Sequence, residues 1–200
     1  MSNAKLTLNG RDYEFPVVVG TEAEVGIDFS KLRSRTGAIA IDPGYGNTGS
    51  CLSTITFIDG EKGILRYRGY PIEQLAEHST YLEVAYLLLN GELPTQAELD
   101  AWVFEVTHHT FIHENMRKRF VDGFHYDAHP MGLFVSAIAA LGTFYDGAKD
   151  IDDEASRRKQ ILRLIAKTPT IAAMSYRFSQ GLPFNYPDND LSYPANFLNM

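Results

Sequence analysis

The chain has 200 residues, 44% of them hydrophobic and 22% charged, at a mean hydropathy of −0.18. This is globular composition, which excludes intrinsic disorder and collagen-like repetition, and a chain of this length buries roughly 70% of its unfolded surface in an unaided core. Eighteen Lys and Arg against 25 Asp and Glu leave a net charge of −7, so no positive field draws the chain to nucleic acid or an anionic membrane.

Along the chain, Lys5 to Arg11 and Tyr13 to Val19 form short alternating or β-branched runs about an Asn9-Gly10 turn signal. Asp42 to Ser50 is rich in glycine but precedes a strand and lacks a Gly-Lys-Ser/Thr ending, so it reads as a turn and not as a phosphate cradle. Ser53 to Ile58 alternates with period two, residues 59–63 turn, and Ile64 to Arg68 returns. After Pro71 the period becomes helical. Thr80-Tyr81-Leu82-Glu83 and Thr95-Gln96-Ala97-Glu98 are capping boxes, the first leading to a stop at Asn90-Gly91. Further helices are expected over His113 to Asp122, Pro130 to Tyr145, Asp152 to Lys167 and Pro169 to Gln180. The uncharged run from Pro130 to Tyr145 is too short to cross a bilayer and predicts a helix surrounded by others at the centre of a bundle. The expected division is a β-rich region over 1–68 and a helical part over 69–200, in a mainly α fold.

The lone Cys51 excludes an internal disulfide, and the first residues lack the apolar core of a secretory signal; together they predict a cytoplasmic protein. Five of six histidines fall between His108 and His129, with His109/His113 and His125/His129 four apart. That is zinc-like spacing on a helix, but the second histidine of an H-E-x-x-H motif after His113 is missing, so no metal is expected. No nucleophile elbow or activated thiolate is present. Lys159, Arg163 and Lys167 form an i, i+4, i+8 basic stripe. By itself such a stripe is a solvated face; as an anion site, it would combine a bidentate arginine with a lysine point charge.

Arg66 to Ala76, continuing through Tyr81 to Thr95, resembles citrate synthase. His129-Pro130-Met131, Pro169 to Met174, Asn189 to Tyr193 and Asn196 to Met200 are similar to the same family, and the β-rich front is similar to its large bacterial hexameric subtype. The resemblance implies a portion of the multi-helical large domain of an enzyme that condenses acetyl-CoA with oxaloacetate to citrate and CoA. It implies a homodimer, with a hexamer built as a trimer of dimers, and no cofactor. It places every catalytic residue beyond Met200, so these residues alone are expected to be an inactive scaffold. An autonomous helical binding or assembly module is the alternative.

The resemblance also implies an allosteric NADH site at His109, Thr110, Tyr145, Arg163, Lys167 and Asn189, with Arg163 and Lys167 facing the phosphates. One departure stands out: His108 occupies a position that is commonly arginine in the subtype. A permanent cation is replaced by a group mostly neutral near pH 7, which predicts regulation that is weakened, pH-dependent or lost.

Overall fold

The Asn9-Gly10 pair turns the chain as its residue types require, since both residues take positive φ (52° and 76°) and match the twist of a tight hairpin. The structure, a computed structural model, describes residues 2–200, the side chains at 119 and 120 lying outside that description. In the first of two compact units, which ends at Thr54, strands β1 (Asn3–Leu8), β2 (Arg11–Val19) and β3 (Val25–Ile27) form an antiparallel sheet in that order. Its small core is built on Phe15, which meets Phe29 edge to face and lies beneath the Arg35 guanidinium at the end of α1 (Leu32–Thr36). The glycine-rich stretch that follows makes a short turn over Pro43–Tyr45, closed by the Asn47 amide donating to Asp42.

The second unit, Ile55–Met200, begins with its own antiparallel sheet: β4 (Thr56–Asp59), β5 (Ile64–Tyr67) and β6 (Tyr70–Pro71). This hairpin belongs to the same compact unit as the helices, the division between units falling at Thr54/Ile55. A second turn, invisible to the alternation pattern, sits at Arg68-Gly69, both at positive φ, and folds β6 back onto β5. The two capping boxes form as expected at the starts of α3 (Tyr81–Asn90) and α4 (Gln96–Thr107), each threonine hydroxyl accepting from the glutamate amide and each glutamate accepting from the threonine amide. Between β6 and α3 lies α2 (Ile72–His78).

Three expectations need correction. His113 to Asp122 is not a regular α-helix but a π turn over Met116–Phe120 followed by a 3-10 turn over Val121–Gly123. Met116 and Val121, five residues apart, are both fully buried, and the wider i→i+5 winding brings that spacing to one side. Second, α5 (Pro130–Leu141) is not surrounded. Leu133, Ala137 and Leu141 face the core, while Met131 and Val135 are more than half exposed. Lack of charge therefore marks a dry face on this helix without marking what covers it.

Third, the two helices expected on either side of Pro169 are one 26-residue helix, α6 (Glu154–Ser179), with the proline inside it. Proline lacks the N–H that would bond the carbonyl four residues back. That carbonyl, Ile165 O, instead accepts from the Tyr193 hydroxyl at 2.9 Å. Tyr193 opens α7 (Tyr193–Asn199) and stacks on Tyr81 at 4.9 Å between ring centroids. Along its length α6 serves three clusters in turn: Leu162 and Ala166 with Leu82, Trp102 and Val106; Ile171 with Met116, Ala137 and Leu141; and Met174 with Val121 and Leu133. Removing the hydroxyl with Tyr193→Phe is expected to destabilise the protein by about 1 kcal/mol or more, the cost of leaving a partly buried acceptor unsatisfied. In a Pro169→Ala background, where an amide can reclaim Ile165 O, the same substitution should cost less. Denaturant unfolding of the four-member cycle measures the difference.

Candidate functional site

The six residues expected to form an effector site come from four separate segments, and the fold gathers them. His109 and Thr110 follow α4; Tyr145 follows the 3-10 turn Gly142–Phe144 that ends α5; Arg163 and Lys167 lie on α6; Asn189 precedes α7. The Arg163 guanidinium carbon lies over the Tyr145 ring at 4.0 Å from its centroid, and Lys167 Nζ is 5.6 Å from the same centroid. Thr110 Oγ1 donates to Asn189 Oδ1 at 3.0 Å across 79 residues of sequence. Burial raises the Tyr145 phenol above its ordinary value, against the opposing pull of Arg163.

The basic stripe separates into three different environments. Lys159 is exposed, Arg163 is half-buried, and Lys167 is only 4% exposed. Steps of four residues advance about 40° beyond a full turn of an α-helix, so a stripe that starts in solvent rotates into the core. The Lys167 ammonium donates to His109 O at 2.6 Å and also to Phe111 O. Burial first, and then the charge of Arg163, depress its pKa to about 8, while the two carbonyls favour the protonated form. Thr170, one turn on, donates its hydroxyl to the intervening Thr110 O at 2.9 Å. Sequence reasoning missed Thr170 and the backbone acceptors; the only available signal was the Lys167/Thr170 spacing of three, which puts the two on one helix face.

His109 contributes less than its position implied. Its Nδ1 lies 2.7 Å from Glu105 O; a carbonyl only accepts, so Nδ1 carries the proton and Nε2 is left as an acceptor in the neutral ring. His108 makes the same contact with Phe104 O at 2.8 Å and stacks on the Phe104 ring. Each ring can donate outward through Nε2 only when protonated. The other histidines of the cluster are used locally: His113 Nδ1 accepts from Asn115 N, His129 Nδ1 caps α5 by accepting from Met131 N, and His125 pairs with Asp127. A cavity of about 710 Å³ opens elsewhere, lined by Arg117, Tyr126, Phe178, Phe184 and Tyr186 among others, and none of the six residues lines it.

A mainly α unit with a capped helical array around one long helix, preceded by a small antiparallel sheet, defines the class, and comparison with known proteins defines the family. The family model described as "Citrate synthase, C-terminal domain" matches residues 44–200, and the chain belongs to the citrate synthase family. It is 48% identical over 200 residues to "Citrate synthase, peroxisomal" and 47% identical over 201 residues to "Citrate synthase", both from Dictyostelium discoideum. Each match covers 96% of this chain but only 40% and 39% of the relative, so the chain spans about two fifths of their length. Among solved structures it is similar to citrate synthase from Pyrobaculum aerophilum (TM-score 0.72, 36% identity), with 82% of this chain and 44% of that one covered. It is also similar to citrate synthase from Thermoplasma acidophilum in ternary complex with carboxymethyl coenzyme A and oxaloacetate (TM-score 0.69, 27% identity), over 76% of this chain and 40% of that one. No helix among the described residues is long and apolar enough to cross a membrane.

The lowered Lys167 pKa fixes the sign of a pH effect. Below pH 8 both folded and unfolded chains carry the proton, and between about 8 and the ordinary 10.5 only the unfolded chain does. Stability rises with pH where the unfolded state binds more protons. The unfolding free energy of the wild type minus that of Lys167→Met should therefore increase between pH 8 and 10.5. Paired denaturation curves check it, and a difference that falls over that interval would contradict the assigned environment.

Proposed function

We propose that this chain is a segment of a citrate synthase that condenses acetyl-CoA with oxaloacetate, and that the segment supplies scaffold, self-association surface and an allosteric NADH site. The observation that carries the enzyme assignment is the near-complete coverage of the chain by citrate synthases at 47–48% identity, one of its structural relatives having been solved with carboxymethyl coenzyme A and oxaloacetate. In the parent reaction a carboxylate takes a proton from the acetyl methyl, the enolate carbon bonds to the ketone carbon of oxaloacetate, and water cleaves the thioester to release citrate and the CoA thiol. Donors aimed at the enolate and ketone oxygens stabilise the charge that develops there. These groups lie outside residues 1–200 in this reading, so the segment alone is not an acyltransferase.

The NADH reading is supported by the arginine that lies over a phenol ring and by the nearby buried threonine, whose hydroxyl is bonded to an amide side chain. It carries with it the large hexameric subtype, assembled from homodimers. The uncharged, half-exposed face of α5 suits a second copy of the enzyme. The compartment we propose is the cytoplasm, from the composition of the chain, with a peroxisomal relative as the competing precedent.

Two assays test the proposal. Thiol release from acetyl-CoA with oxaloacetate should be catalysed by the whole parent enzyme and not by residues 1–200 alone; turnover by the segment overturns the division of labour. Because neutral His108 and His109 cannot donate outward, NADH should inhibit the parent enzyme more strongly at pH 6 than at pH 8. Equal inhibition at the two values removes the histidines from the site.

A further inference from the structure

The chain carries two Asn-Gly pairs, Asn9-Gly10 in the first hairpin and Asn90-Gly91 at the end of α3, and both asparagines are exposed. An asparagine before glycine is open to attack from its own backbone, because no Cβ crowds the approach of the glycine nitrogen to the side-chain carbonyl. Three groups must be free to turn: the glycine N–H as nucleophile, the amide carbonyl as electrophile and the amide NH2 as leaving group. At Asn90 all three are held. Its Nδ2 donates to Tyr86 O at 2.9 Å, its Oδ1 accepts from Arg158 at 3.0 Å, and the Gly91 N–H donates to Leu87 O at 2.8 Å in the left-handed cap of α3. At Asn9 none is held. Asn9 and Gly10 form the two-residue loop inside the Leu8–Arg11 pair, a turn that leaves the glycine N–H outside the ladder. Neither the Asn9 amide nor the Gly10 N–H has a hydrogen-bond partner among the described residues.

We propose that Asn9 is a site of spontaneous deamidation through a succinimide, that the fold protects Asn90 from the same reaction, and that the isoaspartate formed at residue 9 unpins the first sheet. Gly10 N bonds to Asn9 Cγ and loses its proton to base, while Asn9 Nδ2 takes up a proton and leaves as ammonia. Water then opens the five-membered ring. Cleavage of the new Cγ–N bond gives aspartate; cleavage of the original peptide C–N bond gives isoaspartate, whose main chain runs through Cβ and Cγ. One water is consumed and one ammonia released, with no change of oxidation state. The two products differ in what they do to the turn. Aspartate keeps the standard backbone, and Asp-Gly suits the same two-residue loop. Isoaspartate adds a carbon to the main chain within that loop, so Leu8 no longer sits opposite Arg11. The same register sets Leu6 against Tyr13 and Ala4 against Phe15, the buried side chain on which the core of the first unit is built.

To test this, the whole parent enzyme is aged at mildly alkaline pH and its peptides are mapped by mass spectrometry, with electron-transfer fragmentation separating isoaspartate from aspartate. Asn9 should convert at least about tenfold faster than Asn90, since each hydrogen bond that must first break at Asn90 is worth up to about that factor. In denaturant the two rates should converge; a gap that persists there belongs to the flanking residues and overturns protection by the fold. Native Asn90 converting as fast as Asn9, or Asn9 staying intact over a period that converts the unfolded chain, overturns the site. The consequence is read by hydrogen exchange on peptides covering residues 3–8. Protection there should fall by about tenfold or more in aged enzyme enriched in isoaspartate, as the ladder opens. It should stay at the unaged level in Asn9→Asp. Loss in both makes the added charge responsible, and retention in both shows that the register does not depend on this turn; either result overturns the unpinning. Asn9→Gly, which suits the turn and has no amide to lose, should keep its protection throughout ageing. Loss in that variant too places the change away from residue 9 and likewise overturns it.

Discussion

A proline in mid-helix should divide α6, and the bond from the Tyr193 hydroxyl to Ile165 O is what lets the helix run through it. The acceptor freed by Pro169 is met by a donor 28 residues further on, so the continuity of the longest helix depends on the docking of a short one. Consequences run in both directions from that point. N-terminal to Pro169, Leu162 and Ala166 pack into the cluster around Trp102; C-terminal to it, Ile171 and Met174 serve the other two. Lys167 and Thr170 straddle the proline. With a break there, the two side chains would leave their common face, and the three carbonyls at 109, 110 and 111 would lose the donors that hold them.

The parts of this arrangement legible in the sequence were those decided within a few residues. Thr80 with Glu83, Thr95 with Glu98, and Asn9-Gly10 each satisfy their own neighbourhood, and each formed as read. Helix interruption at Pro169, the regular helix from His113 and the enclosure of Pro130 to Tyr145 were misread for one reason. Each outcome is settled by a partner distant in sequence: Tyr193 for the freed carbonyl, the burial of both Met116 and Val121 for the π winding, and whatever meets Met131 and Val135 for the dry face of α5. Local propensity is silent on all three.

The candidate site divides along the same line. Charge and i, i+4 spacing brought out Arg163 and Lys167, residue type offered His109, Thr110 and Tyr145 as polar partners, and resemblance added Asn189; the fold gathers them from four segments. What spacing could not convey is that a stripe advancing about 40° per step carries its last lysine inside. Lys159 and Lys167, alike in sequence, end as a solvated charge and a buried one. Nor could residue types reveal that the nearest acceptors for that buried charge are main-chain oxygens, which give no signature in side-chain identity.

A buried ammonium is costly unless its donors are used, and a segment without regular structure is costly unless its acceptors are used. The contact between Lys167 and the His109–Phe111 segment resolves both at once, which is why neither half of it can be exchanged alone. Replacing the lysine with an apolar side chain of similar volume removes the desolvation of the charge but leaves two carbonyls unmet. Pulling the segment away to admit an anion frees the carbonyls to water but leaves the charge to be compensated. Arg163 faces neither constraint, because its guanidinium is already half in solvent and rests on a ring that needs no proton from it. The difference between the two cations of α6 therefore follows from depth: the inner one is committed to the fold, and the outer one stays partly in solvent over the Tyr145 ring.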